Sequence, residues 1–118
     1  MFPRVLITAS TAILLLASPM PPPLAITGQA LAGGLEFLHD KVRIGGHVCM
    51  KDHVHTGKGG DAQQSTAMAT AARDWSDFTA LEYGPAWGNF GIAAQKHMSC
   101  GQLREAWMCE VVATPCRM

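Results

Sequence analysis

Residues 63–82 read QQSTAMATAARDWSDFTALE, a run of twenty residues without proline or glycine. Apolar and small side chains recur in this run at steps of three and four residues, which places them on one stripe of a helix. The stripe consists of Met68, Ala71, Ala72, Trp75, Phe78 and Thr79. The run therefore predicts one long amphipathic helix, with Trp75 and Phe78 as core residues.

The flanking residues predict where this helix begins and ends. Asp61 or Ser65 can cap its start by accepting a backbone N–H bond. Gly84 suits the left-handed position that follows many helices, and Pro85 cannot continue the helix. Tyr83, in the last turn, is expected to pack its ring and to hydrogen-bond its hydroxyl group.

The remaining segments predict strands and loops. Residues 41–50 alternate in polarity, which favours a half-buried strand, and the glycines inside it suggest a bulge or bend. Residues 56–61, TGKGGD, form a loop by composition. Residues 94–100 and 107–114 are expected to be two strands of a hairpin. The prediction is an α+β fold of order β-α-β-β, a small antiparallel sheet with one long amphipathic helix packed across it and disulfides to stabilise it.

The N-terminal segment has the features of a secretory signal peptide. Arg4 precedes an uncharged apolar run, residues 5–17, which is shorter than the ~20 residues that a bilayer-spanning helix needs. Cleavage near Ala32 is favoured by the A-x-A form of residues 30–32, and Ala17 is the nearer but weaker alternative. We expect residues 1–32 to be signal peptide and lead-in and residues 33–118 to be a single small domain. An uncleaved N-terminal anchor is the alternative.

All four cysteines lie in the expected mature part: Cys49, Cys100, Cys109 and Cys116. An even number of cysteines in a short exported chain indicates disulfides. Four cysteines allow three pairings, among which we prefer Cys100 with Cys109 and Cys49 with Cys116.

Charge and motifs exclude several classes of function. The chain has 9 basic and 9 acidic residues and a formal net charge of +0, with none of the basic patches typical of nucleic-acid binders. We therefore expect no nucleic-acid partner, and no stable membrane span after cleavage. No catalytic motif is present, so the chain is not expected to be an enzyme. The expected partner is an unidentified protein or small ligand.

One cluster has the composition of a metal site. His47, Cys49, His53 and His55 form an H-x-C-x-x-x-H-x-H pattern, and imidazole and thiolate are good ligands for zinc and copper. Because a disulfide would remove Cys49, the candidate metal ligands for Zn or Cu are His47, His53 and His55. Solvated loop histidines beside a structural cysteine are the alternative, since structural zinc sites usually present two separated pairs of ligands.

Several short motifs follow one another along the chain: His53-Val54-His55, Trp75-x-x-Phe78-Thr79-x-x-Glu82-Tyr83-Gly84, Trp87, Trp107-x-Cys109 and Pro115-Cys116. In this order they resemble a group of small exported alphaproteobacterial proteins of unassigned function that is common in rhizobia and their relatives. The resemblance covers residues 47–117 and implies a periplasmic or secreted address, but it transfers no catalytic or binding residue. The sequence thus predicts a small exported, disulfide-stabilised binding or interaction module, with a periplasmic metal-binding protein as the alternative.

Overall fold

A computed structural model describes residues 35–118. The expected signal peptide and lead-in, residues 1–32, lie outside the described residues, as does the expected domain boundary at residue 33. The strands are β1 (Lys41–Ile44), β2 (His47–Met50), β3 (His55–Asp61), β4 (Ala94–Leu103), β5 (Ala106–Thr114) and β6 (Cys116–Arg117), and the helix is α1 (Gln64–Tyr83). Short 3-10 helices span Glu36–Leu38, Pro85–Trp87 and Phe90–Ile92.

The strands form two antiparallel sheets of three strands each, in the orders β1-β2-β6 and β3-β5-β4. The helix packs across the second sheet, mainly on β3 and β5. The α+β class is therefore confirmed, with two small sheets in place of one and with two more strands before the helix than the order β-α-β-β contains.

The glycine-rich segment that composition assigned to a loop is strand β3, so that prediction was wrong. Its alternate residues face the helix, and Gly57 and Gly59 let the two backbones approach closely. A Cβ atom on Gly59 would lie 2.5 Å from the backbone nitrogen of Ala71 and 2.7 Å from the carbonyl oxygen of Ala67. The glycines thus serve close helix-to-sheet packing instead of a turn.

The face of the helix that is buried against the sheet is narrower than the predicted stripe. The buried residues follow one another at steps of four, and they are Ala67, Ala71, Trp75, Thr79 and Tyr83. Trp75 is fully buried, as predicted, but Phe78 is 49% exposed and is not a core residue. Only side chains directly over the sheet are covered, so the stripe is narrower than the helical periodicity indicated.

The helix ends where expected but begins differently. Gln63 occupies the N-cap position without a side-chain hydrogen bond, and the Asp61 carboxylate instead accepts from the Gln63 N–H at 2.9 Å. Gly84 has φ 102°, and its N–H donates to the Ala80 carbonyl at 2.8 Å.

Residues 41–50 form a hairpin and not one bent strand. Gly45 and Gly46 have φ 56° and 85°, the left-handed conformations that a tight two-residue hairpin turn requires. The chain therefore reverses at these glycines, and Lys41 of β1 lies opposite Met50 of β2.

Two disulfides join strands that lie side by side. Cys49 of β2 is bonded to Cys116 of β6, and Cys100 of β4 to Cys109 of β5. These are the pairings preferred from the sequence. A single residue, Pro115, separates β5 from β6, so the chain passes directly from one sheet to the other. Over the described part of the chain, no helix is both long and apolar enough to cross a membrane.

Candidate functional site

Three histidines surround the hydroxyl group of Tyr83 near the end of α1. The Nε2 atoms of His39, His53 and His55 lie 3.1, 2.7 and 3.2 Å from the phenolic oxygen. We call these four residues the His-Tyr cluster. Its members come from three parts of the chain, so it exists only in the folded protein.

Local structure fixes each member of the cluster. His39 lies between the first 3-10 helix and β1, and His55 is the first residue of β3. Tyr83 is the last residue of α1, on the same buried face as Thr79. The rings of His55 and Tyr83 are stacked with centroids 4.9 Å apart, while those of His39 and His53 lie 4.2 Å apart.

Thr79 determines which nitrogen of His55 carries the proton. The Thr79 hydroxyl donates its one hydrogen to the Trp75 carbonyl at 2.7 Å. It must therefore accept from His55 Nδ1, which lies 2.9 Å away. In neutral His55 the Nε2 atom is consequently unprotonated, with its lone pair directed into the cluster.

Glu82 adds a negative charge beside that lone pair. Its Oε2 atom lies 3.2 Å from His55 Nε2. The Tyr83 hydroxyl also lies 3.2 Å from His55 Nε2 and can donate its one hydrogen to that lone pair. The Glu82 carboxylate therefore favours a positive charge at His55.

Burial opposes protonation of the His53 and His55 imidazoles. Burial, more than the nearby His39, lowers the pKa of His53. Burial also lowers the pKa of His55, although the Glu82 carboxylate acts in the opposite direction. Burial, together with Glu82, raises the pKa of Tyr83 to about 12, so the phenol is neutral at physiological pH.

The cluster is open to solvent on one side. His39 and His53 are only half-buried, and Glu82 is 29% exposed. The half-exposed ring of Phe78 borders it and packs on His55 at a centroid distance of 4.9 Å. An ion or small ligand can therefore reach the imidazoles without opening the core.

The structure brings together two of the three histidines predicted to bind a metal. His53 and His55 belong to the cluster, whereas His47 lies in β2 opposite Ile44, with its Nδ1 atom buried and without a hydrogen-bond partner. Cys49 is disulfide-bonded. Within residues 35–118, no three His, Cys, Asp or Glu side chains are already arranged around a common metal position, and the imidazoles instead face the Tyr83 oxygen.

Sequence reasoning missed His39 as a member of this site, and for Tyr83 it favoured a packing and hydrogen-bonding role over a polar site formed with Glu82. His39 is 44 residues from Tyr83, so no spacing rule links them. A signal did exist in the helix, because Thr79 and Tyr83 extend its buried face with two polar side chains that need buried partners.

Comparison with family models, with curated proteins and with solved structures finds no match to this chain.

Proposed function

We propose that the chain is a small exported binding protein whose ligand is a transition-metal ion, zinc or copper, held by His39, His53 and His55. The observation that carries the proposal is the convergence of three imidazole Nε2 atoms on one phenolic oxygen, at 2.7 to 3.2 Å. Imidazole nitrogen is a preferred ligand of both metals.

A metal ion bound by the three histidines would require a rearrangement of the cluster. Zinc–nitrogen bonds are ~2.0 to 2.1 Å long, so two ligand atoms of a tetrahedral ion lie about 3.3 Å apart. The three imidazole nitrogens now lie 2.7 to 3.2 Å from the Tyr83 oxygen, which is not one of the proposed ligands. Binding would exchange the contacts to Tyr83 for bonds to the metal, through rotation of the half-buried His39 and His53 side chains.

The surroundings of His55 favour a metal ligand. Ligating histidines usually donate their second ring N–H to a fixed acceptor, which orients the ring. The Thr79 hydroxyl has this role for His55. The Glu82 carboxylate would balance part of the metal charge. A metal ion would also satisfy the lone pair of His55 without the protonation that burial disfavours.

The expected periplasmic or secreted address supports the same proposal. Two disulfides are typical of proteins from oxidising compartments. The apparent signal peptide and the resemblance to exported alphaproteobacterial proteins remain predictions. Intact mass of the protein isolated from the periplasm or the medium, with and without reduction, would give the cleavage site and the number of free thiols.

Metal binding is tested with tag-free protein that has been stripped by a chelator and dialysed. Calorimetric titration with Zn²⁺ and with Cu²⁺ should give near-stoichiometric binding. At a metal concentration ~100 times Kd the stabilisation is about 2.7 kcal/mol, an increase in Tm of roughly 10 to 20 °C for a domain of this size.

Matched histidine variants assign the ligands. His53→Ala and His55→Ala should abolish tight binding, whereas His97→Ala, an exposed histidine on β4, should leave it unchanged. His47→Ala tests the ligand that the sequence predicted and should also have no effect. Absence of binding heat and of a Tm shift in the unaltered protein would refute the proposal, as would an equal loss of affinity in His97→Ala and His53→Ala.

A further inference from the structure

The two free edges of the β3-β5-β4 sheet differ in how they are protected. In the order β3-β5-β4, strands β3 and β4 each have one edge without a neighbouring strand. At β3, the Lys58 N–H donates to the Asp74 carboxylate of the helix at 2.8 Å. This charged side chain occupies a backbone donor that another strand would need, so the β3 edge is closed to pairing.

The β4 edge has no such protection over residues 97–103. Residues 97–103 of β4 include no Asp, Glu, Lys, Arg or Pro, the residues that natural edge strands use against unwanted pairing. The adjacent Lys96 does not guard the edge, because its ammonium group is bound to the carbonyl oxygens of Phe90 and Gly91 at 3.2 and 3.1 Å. Leu103, at the end of the strand, is 65% exposed.

Among the four edge strands of the described residues, β4 is the longest. It has 10 residues, against 7 in β3, 4 in β1 and 2 in β6. The β1 edge also carries Lys41 and Arg43, both exposed. The longest stretch of edge strand without a charged side chain in this part of the chain is therefore residues 97–103 of β4.

We propose that residues 97–103 form an interface with a second copy of this chain, in which two β4 strands pair antiparallel about a two-fold axis. Residues 97–103 carry no charged side chain, so an antiparallel pair of these segments places no like charges opposite each other. Pairing of the two β4 strands would produce a continuous sheet of six strands, with a protected β3 edge at each end. Assembly therefore stops at two copies, as a closed two-fold dimer requires.

The proposal does not depend on metal binding, and its test uses chelator-treated protein so that an ion cannot bridge two molecules. Sedimentation equilibrium from micromolar to near-millimolar concentration should show a monomer–dimer equilibrium. Hydrogen exchange at the two ends of this range should show additional protection of amides in residues 97–103 of the dimer.

Two lysine substitutions provide the perturbation and its control. Ser99→Lys puts a charge on the exposed β4 edge, opposite Glu110 of β5, where the fold tolerates it. It should raise the dimer Kd by about tenfold or more. Thr56→Lys, at an exposed position of β3, should leave the dimer Kd unchanged. Gln102→Lys repeats the test if Ser99→Lys misfolds, with folding checked by helical circular dichroism and by the absence of free thiols.

Three results would overturn the proposal: a monomer over the whole concentration range, a dimer that Ser99→Lys and Gln102→Lys leave intact, or protection confined to amides outside residues 97–103. A dimer that both variants weaken, with protection at β4, supports it.

Discussion

Replacing Gly57 with alanine would place a methyl group against the backbone of the helix. The new Cβ atom would lie 2.5 Å from the Trp75 backbone nitrogen and closer still to the carbonyl oxygen of Ala71, whereas ordinary contacts begin at 3.4 Å. Both obstacles are backbone atoms, so rotation of a side chain cannot relieve the clash. The helix must move outward by about 1 Å, which loosens the packing of Trp75 on the sheet.

The cost follows from this displacement. Overpacking a core lowers the free energy of unfolding by about 1 to 3 kcal/mol. The unfolded variant has less conformational entropy than the unfolded original chain, which offsets about 0.4 to 1 kcal/mol of this loss. We therefore expect Gly57→Ala to lower the free energy of unfolding by about 1 to 2 kcal/mol, with a decrease in Tm of roughly 5 to 15 °C.

Urea unfolding followed by tryptophan fluorescence measures this effect, with disulfides intact. Gly101→Ala in β4 is the matched control, because a Cβ there has no atom within 4 Å. This control should be neutral or stabilising by up to about 1 kcal/mol. If Gly57→Ala and Gly101→Ala unfold at the same urea concentration, the close approach of helix and sheet does not exist in the folded protein.

Three further predictions concern the disulfides and the His-Tyr cluster. Replacing Cys49 and Cys116 together by serine opens a loop with a sequence separation of 67 and should cost about 4 kcal/mol in the chain-entropy description, measured by urea unfolding. Thr79→Val removes the acceptor of the His55 Nδ1–H and should lower the free energy of unfolding by about 1 to 3 kcal/mol and weaken metal binding by roughly 10- to 100-fold, measured by calorimetry. In metal-free protein, the lowered pKa values of His53 and His55 should leave stability constant above pH 6.5 and reduce it as the pH falls below that value, because the unfolded chain then binds more protons; urea midpoints across a pH series measure this.

Each of these predictions has a control that limits its interpretation. Serine replacement of Cys100 and Cys109, with a separation of 9, should cost less, about 3 kcal/mol. Thr66→Val, at an exposed site in the helix, should change neither stability nor metal affinity. A variant with His53 and His55 both replaced by Asn should show a smaller loss of stability in acid. An equal loss in this variant would show that other groups control the acid response.

The helix could be predicted from the sequence because its signals are local. Its run lacks breakers, and Gly84 and Pro85 end it whatever the rest of the fold does. The exposure of Phe78 was not predictable in this way, since it depends on how closely the sheet approaches. That approach is set by Gly57 and Gly59, whose composition alone indicated a loop.

The pairing of Cys100 with Cys109 and the β4–β5 hairpin could be predicted for a similar reason. Cys100 and Cys109 lie at symmetric positions about a tight turn, so their pairing follows from the hairpin. The first hairpin was missed because the pair Gly45-Gly46 was interpreted as a bend within one strand, although two glycines are also a turn signal.

The candidate site was only half predictable. His53 and His55 stand out because they are two residues apart in a short pattern. His39 joins them only because β1 and β3 bring distant segments to the end of α1. A histidine outside any pattern carries no signal of its own, and its role becomes visible once Tyr83 is placed.

The single residue between β5 and β6 links the two disulfides to one strand alignment. Cys109 lies inside β5, and Cys116 follows its end after Pro115 alone, so both partners move together if β5 shifts. A shift of one residue turns each side chain to the opposite face and carries both cysteines away from Cys100 and Cys49. A misaligned chain could then close neither bond and would keep four thiols available for exchange. Both disulfides can therefore form only when β5 is paired in its native register, and once formed they hold β5 in that register.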